Sequence, residues 1–299
     1  MSTTLATLRA GEELDAVFAC VRKTRQTTRA GAPYLTVELR DRSGSITGRV
    51  FRDADLLAGR FERGDIVQVH ARAELFREQL QLAIEQIARV ELTEEQAASF
   101  LPVSRRDVEE LEGFFEHLAR EVYDPGLKGL LQRLLDDQEL RAELRRAPCS
   151  LPASGPARSS VHHAFLGGLL EHTVAVASLA IELCAVHPRL DRDLLLCAAL
   201  VHDLGKTREY VYGAEITRSE QGRMLGHIEL GLRIIAAHAP STLSDERRMA
   251  LEHCVLCHHG PDAAGGGAQR FASAEALALQ RLNTLDAGVK GAFEQGIGR

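Results

Sequence analysis

The pattern of apolar residues changes near residue 92, and this change limits the folds that are open to the chain. Before it, Val, Ile, Tyr and Phe fall at partly alternating positions, which is typical of short β-strands. Turn-forming residues separate the segments, and a short helix is predicted at residues 53–58, between the third and fourth strands. The predicted strands are residues 14–20, 34–39, 45–51, 65–74 and 80–90.

From residue 93 onward, apolar positions recur every three or four residues, which predicts helices. Residues 107–146 are amphipathic, and residues 148–156 form a loop rich in Pro, Ser and Gly. Five apolar helices are expected after it, at residues 164–186, 191–204, 226–237, 243–258 and 273–289. We therefore predict a multidomain α+β protein: an N-terminal five-stranded OB-type β-barrel at residues 1–92, a helical connector and loop at 93–156, and an all-α domain at 157–299.

Composition and charge argue against several classes of protein. No run reaches the ~18 consecutive apolar residues that a membrane span needs, and residues 1–15 lack the features of a secretory signal. Six cysteines among 299 residues do not suggest a disulfide framework, so we expect reduced thiols in a cytoplasmic protein with no membrane partner. The net charge of −6 argues against a protein coated with basic nucleic-acid contacts.

The histidines are concentrated in one part of the chain, with ten of twelve between His162 and His259. One inward histidine is more often a hydrogen-bonded core residue than a ligand. Here, however, six polar groups on five predicted helices share faces with apolar residues, and buried charge without a partner is costly. A shared metal site would explain them together, and the Asp203 carboxylate could then bridge two cations. The six are His172, His202, Asp203, His227, His258 and Asp286.

These residues and their flanking strings resemble a known family. The order His172, His202-Asp203, Asp286 is similar to the HD-domain metal-dependent phosphohydrolases, and His227 with His258-His259 is similar to their two-metal versions. The strings are HHAFLGGLLEHT from His162, HDLGK from His202, LGHI from Leu225 and CHHG from Cys257. Together with the barrel, they resemble the YhaM family of 3′–5′ exoribonucleases over nearly the whole chain.

The resemblance implies a hydrolase that removes nucleotides from the 3′ end of single-stranded RNA, or of single-stranded DNA, with a metal-activated water. It implies a first metal held by His172, His202, Asp203 and Asp286, and a second held by Asp203, His227, His258 and, as an open question, His259. This donor set suits Mn²⁺ or Fe²⁺ better than Mg²⁺, although metal availability can override ligand preference. Asp203 and Lys206 are the predicted catalytic residues.

Near this centre, three residues are predicted to contact phosphate groups. Lys206 would neutralise the phosphate under attack, and the alternative is a lysine at a helix C-terminus favoured by the helix dipole. Arg158 and His163 precede the first ligand helix and could hold substrate phosphates. Arg158 suits a solvated loop equally well.

The barrel offers a second set of predicted substrate contacts. Four basic residues without an acidic one form the expected first loop, and such loops bind single-stranded nucleic acid in OB folds. Tyr34, Phe51 and Phe76 are candidate stacking residues, although we expect Phe51 and Phe76 to be barrel core instead. The basic residues are Arg22, Lys23, Arg25 and Arg29.

Two other functions remain open. The metal centre could hydrolyse a small nucleotide while the barrel serves docking or assembly, because members of this superfamily with the same ligands cut different phosphoesters. Alternatively, the protein is a non-catalytic nucleic-acid-binding module, which is disfavoured because no position of the ligand pattern is missing. Base preference and homo-oligomer formation also stay open.

Overall fold

The computed structural model describes residues 4–28, 30–152, 161–260 and 270–294, and their contacts divide the chain into two units. One unit is Met1–Pro102 with Tyr212–Ile216, and the other is Val103–Val211 with Thr217–Arg299. The first is built around a closed β-barrel and the second is mainly helical. This confirms the predicted fold class.

The barrel has five strands and the strand order of an OB fold. The strands are β1 (Glu13–Thr27), β2 (Pro33–Asp41), β3 (Gly44–Val50), β4 (Ile66–Phe76) and β5 (Gln79–Arg89). They close in the order β1-β2-β3-β5-β4, with β3 and β5 parallel and the other neighbours antiparallel. Helix α1 (Ala54–Ala58) lies between β3 and β4, where a helix is predicted.

Alternate residues of each strand fill the barrel, as the period of two requires. On β2, Leu35, Val37 and Leu39 are fully buried, whereas Thr36 and Glu38 between them are partly exposed. Further apolar side chains from β3, β4 and β5 complete the same core, among them Val50, Val67, Val69, Leu82 and Ile87.

The basic stretch is a strand where a loop is predicted. Strand β1 continues to Thr27, paired with Pro33, so Arg22, Lys23 and Arg25 belong to a ladder with β2. Lys23 is largely buried: its ammonium donates to the carbonyls of Ala58 and Phe61 at 2.7 and 2.6 Å and pairs with Glu62. Lys23 therefore holds β1 against α1, a role that a loop assignment could not suggest.

The expectation that Phe51 and Phe76 are core residues is wrong. Phe51 is 52% exposed and stacks on Tyr34, with ring centroids 5.4 Å apart and an interplanar angle of 23°. Phe76 is 42% exposed, with the Arg49 guanidinium over its ring. Both rings follow the last core position of a strand, so the inward face of the barrel ends before them.

Helix α2 belongs to the barrel unit, and α3 to α12 belong to the helical unit. A two-stranded sheet is formed by β6 (Tyr210–Tyr212) and β7 (Ile216–Arg218). The amphipathic stretch 107–146 is divided into three helices because Asp107, Asp124 and Asp137 each cap a new helix. The hairpin and the shortest helices were not predicted, because elements of three to five residues are too short to show periodicity. The helices are α2 (Glu94–Ala98), α3 (Val108–Arg120), α4 (Pro125–Asp136), α5 (Gln138–Arg146), α6 (Gly168–Val186), α7 (Arg192–Val201), α8 (Lys206–Glu209), α9 (Glu220–Met224), α10 (Gly226–His238), α11 (Asp245–Cys257) and α12 (Ala274–Glu294).

Helix α6 is the centre of the helical unit and packs against α3, α5, α7 and α12. By length and composition alone it could also cross a membrane, but 56% of its apolar window is buried inside the unit, as in the core helices of soluble proteins. It begins at Gly168, after Gly167 adopts a left-handed conformation with φ 79°. An added Cβ at Gly168 would lie 2.1 Å from the carbonyl oxygen of His163, so this helix start requires glycine.

Candidate metal centre

Five helices deliver the predicted ligands to one region of the helical unit. His172 lies in the first turns of α6, and His202 caps the C-terminus of α7, with Asp203 next to it. His227 is in the first turn of α10, and His258 caps α11. Helix ends leave backbone groups unpaired and side chains free to turn inward, which explains why most of these residues lie at helix ends.

Three of the imidazoles, His172, His202 and His258, are oriented by an acceptor on Nδ1. Nδ1 of His202 lies 2.8 Å from the carbonyl oxygen of Ala199, and Nδ1 of His258 lies 2.5 Å from that of Val255. A carbonyl oxygen can only accept, so both Nδ1 atoms carry the hydrogen and both Nε2 atoms keep a free lone pair. This is the tautomer that binds a metal through Nε2.

The rings of His172 and His227 face carboxylates, His172 through a hydrogen bond and His227 at an ion-pair distance. Nδ1 of His172 lies 2.6 Å from Asp286 Oδ2, and Nδ1 of His227 lies 3.3 Å from Glu209 Oε2. Their Nε2 atoms point into the cluster, 3.3 Å from His202 Nε2 and 2.9 Å from His259 Nε2 respectively. Converging lone pairs repel one another unless a cation lies between them, so this arrangement favours metal binding.

The Asp203 carboxylate lies between two groups of imidazoles. Oδ2 is 3.6 Å from His172 Nε2 and 3.3 Å from His202 Nε2. Oδ1 is 3.5 Å from His227 Nε2 and 3.4 Å from His258 Nε2. One oxygen therefore faces each group, which is the geometry of a carboxylate that can bridge two cations.

The electrostatics hold these groups in the protonation states that bind metal. Burial lowers the pKa of His172 and of His258 to about 4, so both imidazoles are neutral at pH 7. Burial and the neighbouring His258 lower the pKa of His259 to about 2. Although burial alone would raise it, the pKa of Asp203 lies well below its ordinary value because Lys206 and the facing histidines stabilise the carboxylate.

Lys206 lies inside the site and not at a solvated helix end. It begins α8, is 5% exposed and places Nζ 2.7 Å from Asp203 Oδ2. Burial would lower the pKa of Lys206, but the Asp203 charge outweighs it and raises the pKa above its ordinary value. The ammonium is therefore charged and reaches the same carboxylate oxygen as two of the imidazoles.

The residues present fit a divalent metal centre. Asp203 Oδ1 is buried and has no hydrogen-bond donor within the described part of the chain, although buried carboxylate oxygens are normally satisfied. Two groups that share Asp203 bring their ligand atoms within 4.8 Å of one another. The first is His172, His202 and Asp203, and the second is Asp203, His227, His258 and His259. Imidazole nitrogens with a shared carboxylate suit divalent transition metals.

Other predicted site residues lie in less direct positions. Asp286 accepts from the far nitrogen of His172, so in this structure it orients that ring, and its assignment as a direct ligand stays a prediction. His163 is buried beside Asp286 Oδ2 at 3.9 Å and Glu171 Oε1 at 3.6 Å, not on an open surface. Arg158 and Arg29 lie outside the described residues.

In the barrel, two of the remaining predicted contacts, Arg22 and Arg25, lie on opposite faces of β1. Arg22 is exposed on β1 and lines a groove with Thr24, Gln26, Thr36 and other residues of β1 to β3. Arg25 is exposed and pairs with Asp55 at 2.7 Å. Tyr34 of β2 is partly buried and stacks on Phe51, which directly follows β3 and is 52% exposed.

Three functional candidates were missed from the sequence. Glu209 is buried and faces His227, Glu171 is buried between His163 and Lys290, and Cys149 has its Sγ 3.4 Å from Lys206 Nζ. Glu209 directly follows Lys206, Thr207 and Arg208, so no isolated charge in an apolar stretch marks it in the sequence. Cys149 follows α5 in a loop, where no periodicity indicates its direction.

Two family models and one curated relative match this chain. An HD domain model matches residues 169–288, and an OB-fold nucleic acid binding domain model matches residues 17–90. The 3′–5′ exoribonuclease YhaM from Oceanobacillus iheyensis is 29% identical over 279 residues, which cover 93% of this chain and 84% of that protein.

Solved structures that are similar to this chain share only a limited part of it. The second OB-fold domain of replication protein A from Methanococcus maripaludis is 18% identical, with a TM-score of 0.26 over 31% of this chain and 98% of that one. A mitochondrial single-stranded DNA-binding protein from S. cerevisiae is 20% identical, with a TM-score of 0.24 over 28% of this chain and 97% of that one. From its full-length relative and the two domain matches, the chain is a homologue of the 3′–5′ exoribonuclease YhaM, with an OB-fold domain ahead of an HD domain.

Proposed function

We propose that the protein is a metal-dependent 3′–5′ exoribonuclease that hydrolyses the terminal phosphodiester of single-stranded RNA. The observation that carries the proposal is the Asp203 carboxylate, whose two oxygens each face a separate pair of imidazoles. When bound, two divalent ions, with Mn²⁺ as our first choice and Fe²⁺ or Mg²⁺ as alternatives, would supply an activated water and neutralise the phosphate charge. The similarity to YhaM over 93% of the chain supports RNA as the substrate.

The side chains of the centre would hold the ions and the phosphate. His172 and His202 on one side of Asp203, and His227, His258 and His259 on the other, provide the ligand atoms, with Asp286 completing the first set. Lys206 is the one ammonium within hydrogen-bond distance of Asp203 among the described residues, so it is placed to stabilise negative charge that develops on the phosphate. Asp203 and Lys206 are therefore the residues that we propose as catalytic.

The OB-fold barrel would hold the RNA strand by stacking more than by charge. Phe51 in the Tyr34–Phe51 stack is solvent-exposed, and aromatic surfaces bind bases of any sequence. Arg22 is an exposed cation on β1. Lys23, by contrast, donates its hydrogen bonds to backbone carbonyls of the barrel unit. We further propose a cytoplasmic location, where the six buried free thiols stay reduced.

The test is hydrolysis of single-stranded RNA labelled at the 5′ end, with purified protein and Mn²⁺ beside an Asp203→Ala variant. We expect a ladder that shortens from the 3′ end and is absent with the variant. A DNA strand of the same sequence measures the preference for RNA. If the protein turns over small nucleotides but leaves RNA intact in Mn²⁺, Fe²⁺ and Mg²⁺, the proposal is wrong and the protein is a small-nucleotide phosphohydrolase.

A further inference from the structure

A thiol and an extra imidazole lie at the edge of the first ligand set. Cys149 is 1% exposed, and its Sγ is 3.5 Å from Nε2 of His162. Cys149, His162 and His172 bring one ligand atom each within 4.8 Å of one another. His172 therefore belongs to three overlapping sets: one with His202 and Asp203, a second with Cys149 and His162, and a third with His163 and Asp286.

The distance between Cys149 and His162 in this second set fits one edge of a tetrahedral metal site. With Zn–S of about 2.3 Å and Zn–N of about 2.0–2.1 Å, two ligands of a tetrahedron are about 3.6 Å apart. The observed distance of 3.5 Å from Sγ to Nε2 matches this edge without movement of either side chain. His162 is partly exposed, so the set has an open side for metal entry.

The first and second sets differ in the metals they favour. The set with Asp203 offers two nitrogens and a carboxylate oxygen, whereas the set with Cys149 offers two nitrogens and a sulfur. Thiolate ligands select softer ions, Zn²⁺ above all in mixed sulfur and nitrogen sites. The Lys206 ammonium donates to Sγ at 3.4 Å, so the sulfur already faces a positive charge.

We propose that Cys149, His162 and His172 form a zinc site that overlaps the HD centre and competes with it for His172. Zinc binding releases the thiol proton to solvent and joins sulfur to the ion in its place. With His172 held in this set, the first catalytic ion loses one of its ligands. Zn²⁺ is thus an inhibitor of the enzyme and not a substitute for its working metal.

Cobalt substitution tests the site without any measurement of hydrolysis. The full-length, metal-free protein is titrated with Co²⁺, and we expect the near-ultraviolet charge-transfer band that a thiolate–cobalt bond produces. Cys149→Ser removes this band, whereas the control Cys197→Ser, which is also fully buried but lies in α7, retains it. A band of undiminished strength in Cys149→Ser, or none in the unaltered protein, overturns the proposal.

A second variant keeps the test valid if Cys149→Ser does not fold. His162→Ala changes a partly exposed residue and leaves the buried thiol in place. We expect at least a tenfold loss of Zn²⁺ affinity, measured by competition with a chromophoric chelator. Unchanged affinity contradicts the proposed site. Because both readouts are spectroscopic, they can support or contradict the zinc site whether or not the protein is an exoribonuclease.

Discussion

Lys206 Nζ lies 2.7 Å from Asp203 Oδ2, the carboxylate oxygen that also faces His172 and His202. Without metal, this ion pair compensates a charge that is 1% exposed. A bound cation would take over that compensation and leave the ammonium available to a phosphate. The residue that stabilises the metal-free site is therefore also the one placed to act on substrate.

The effect of replacing Lys206 on stability should depend on whether metal is bound. We expect Lys206→Met to lower the free energy of unfolding of the metal-free protein by roughly 3–5 kcal/mol, because a buried carboxylate loses its partner. Mn²⁺ should restore most of this stability while activity stays low. Urea denaturation with and without Mn²⁺ measures the effect, with the exposed Lys128→Met as control. An equal loss of stability with and without Mn²⁺ would show that Lys206 does not stabilise the fold through the charge of Asp203.

Glu209 is expected to fix the ring of His227. Its carboxylate lies 3.3 Å from Nδ1, and although burial opposes ionisation, His227 holds the pKa of Glu209 below its ordinary value. Glu209→Gln should weaken metal binding about 10- to 100-fold, as the loss of such supporting carboxylates does elsewhere. Titration calorimetry with Mn²⁺ measures this, with the exposed Glu229→Gln of α10 as control. Equal affinity in both variants would exclude a positioning role.

The exposed Phe51 ring should matter for polymers only. Replacing Phe51 with Ala removes a surface on which bases stack, a change worth about 1–3 kcal/mol per base. We therefore expect KM for single-stranded RNA to rise roughly 10- to 100-fold in line with that energy, while turnover of bis-p-nitrophenyl phosphate is unchanged. Phe114→Ala, an exposed ring of α3, is the matched control. A parallel loss on the small substrate would place the defect in folding or in the metal centre.

Gly205 allows α8 and α10 to approach closely. A Cβ there would lie 1.8 Å from the carbonyl oxygen of His227 and 2.5 Å from the amide nitrogen of Gly231. Gly205→Ala should destabilise the fold by roughly 1–3 kcal/mol and displace both Lys206 and His227. Thermal unfolding together with Mn²⁺ affinity measures it. Gly288→Ala, in open space on α12, should instead stabilise by about 0.5–1 kcal/mol.

Arg247 connects three helices through ion pairs whose contribution to stability should be lost in acid. It donates 3.0 Å to Asp124, the cap of α4, and also pairs with Asp191, the cap of α7. Burial would raise the pKa of both carboxyls, but Arg247 and backbone N–H groups hold it below the ordinary value of 3.8. The stabilisation is thus complete at neutral pH and is lost as the pH falls below about 4.

Substitution of this arginine should therefore flatten the acid side of the stability profile. We expect Arg247→Met to cost roughly 2 kcal/mol at pH 7 and progressively less toward pH 3, because protonated carboxyls no longer need the guanidinium. Urea denaturation across this pH range measures the difference between variant and unaltered protein. A difference that is constant with pH would mean that the loss is one of packing.

Periodicity and residue chemistry were enough to predict a barrel followed by helices, and to single out polar side chains that the structure brings together. Alternating apolar residues at 34–39 can only form a strand with one buried face, and His172, His202 and Asp203 were recognised because polar groups on apolar helix faces must find partners. Short elements carry no such signal. The hairpin at β6 and β7 and helix α8 therefore emerged only in the folded protein.

Contacts between distant residues decided what the pattern left open. Lys23 and Arg25 are equally basic in sequence, yet one is held by backbone carbonyls 35 and 38 residues away and the other lies exposed beside Asp55. Cys149 stands 54 positions before Asp203 but lies 3.8 Å from its carboxylate. The sequence by itself determined which residue types are available and which face each helix buries, because both follow from local periodicity. Which residues meet at the centre was decided by tertiary packing, since only the close approach of helices places side chains far apart in the chain within bonding distance.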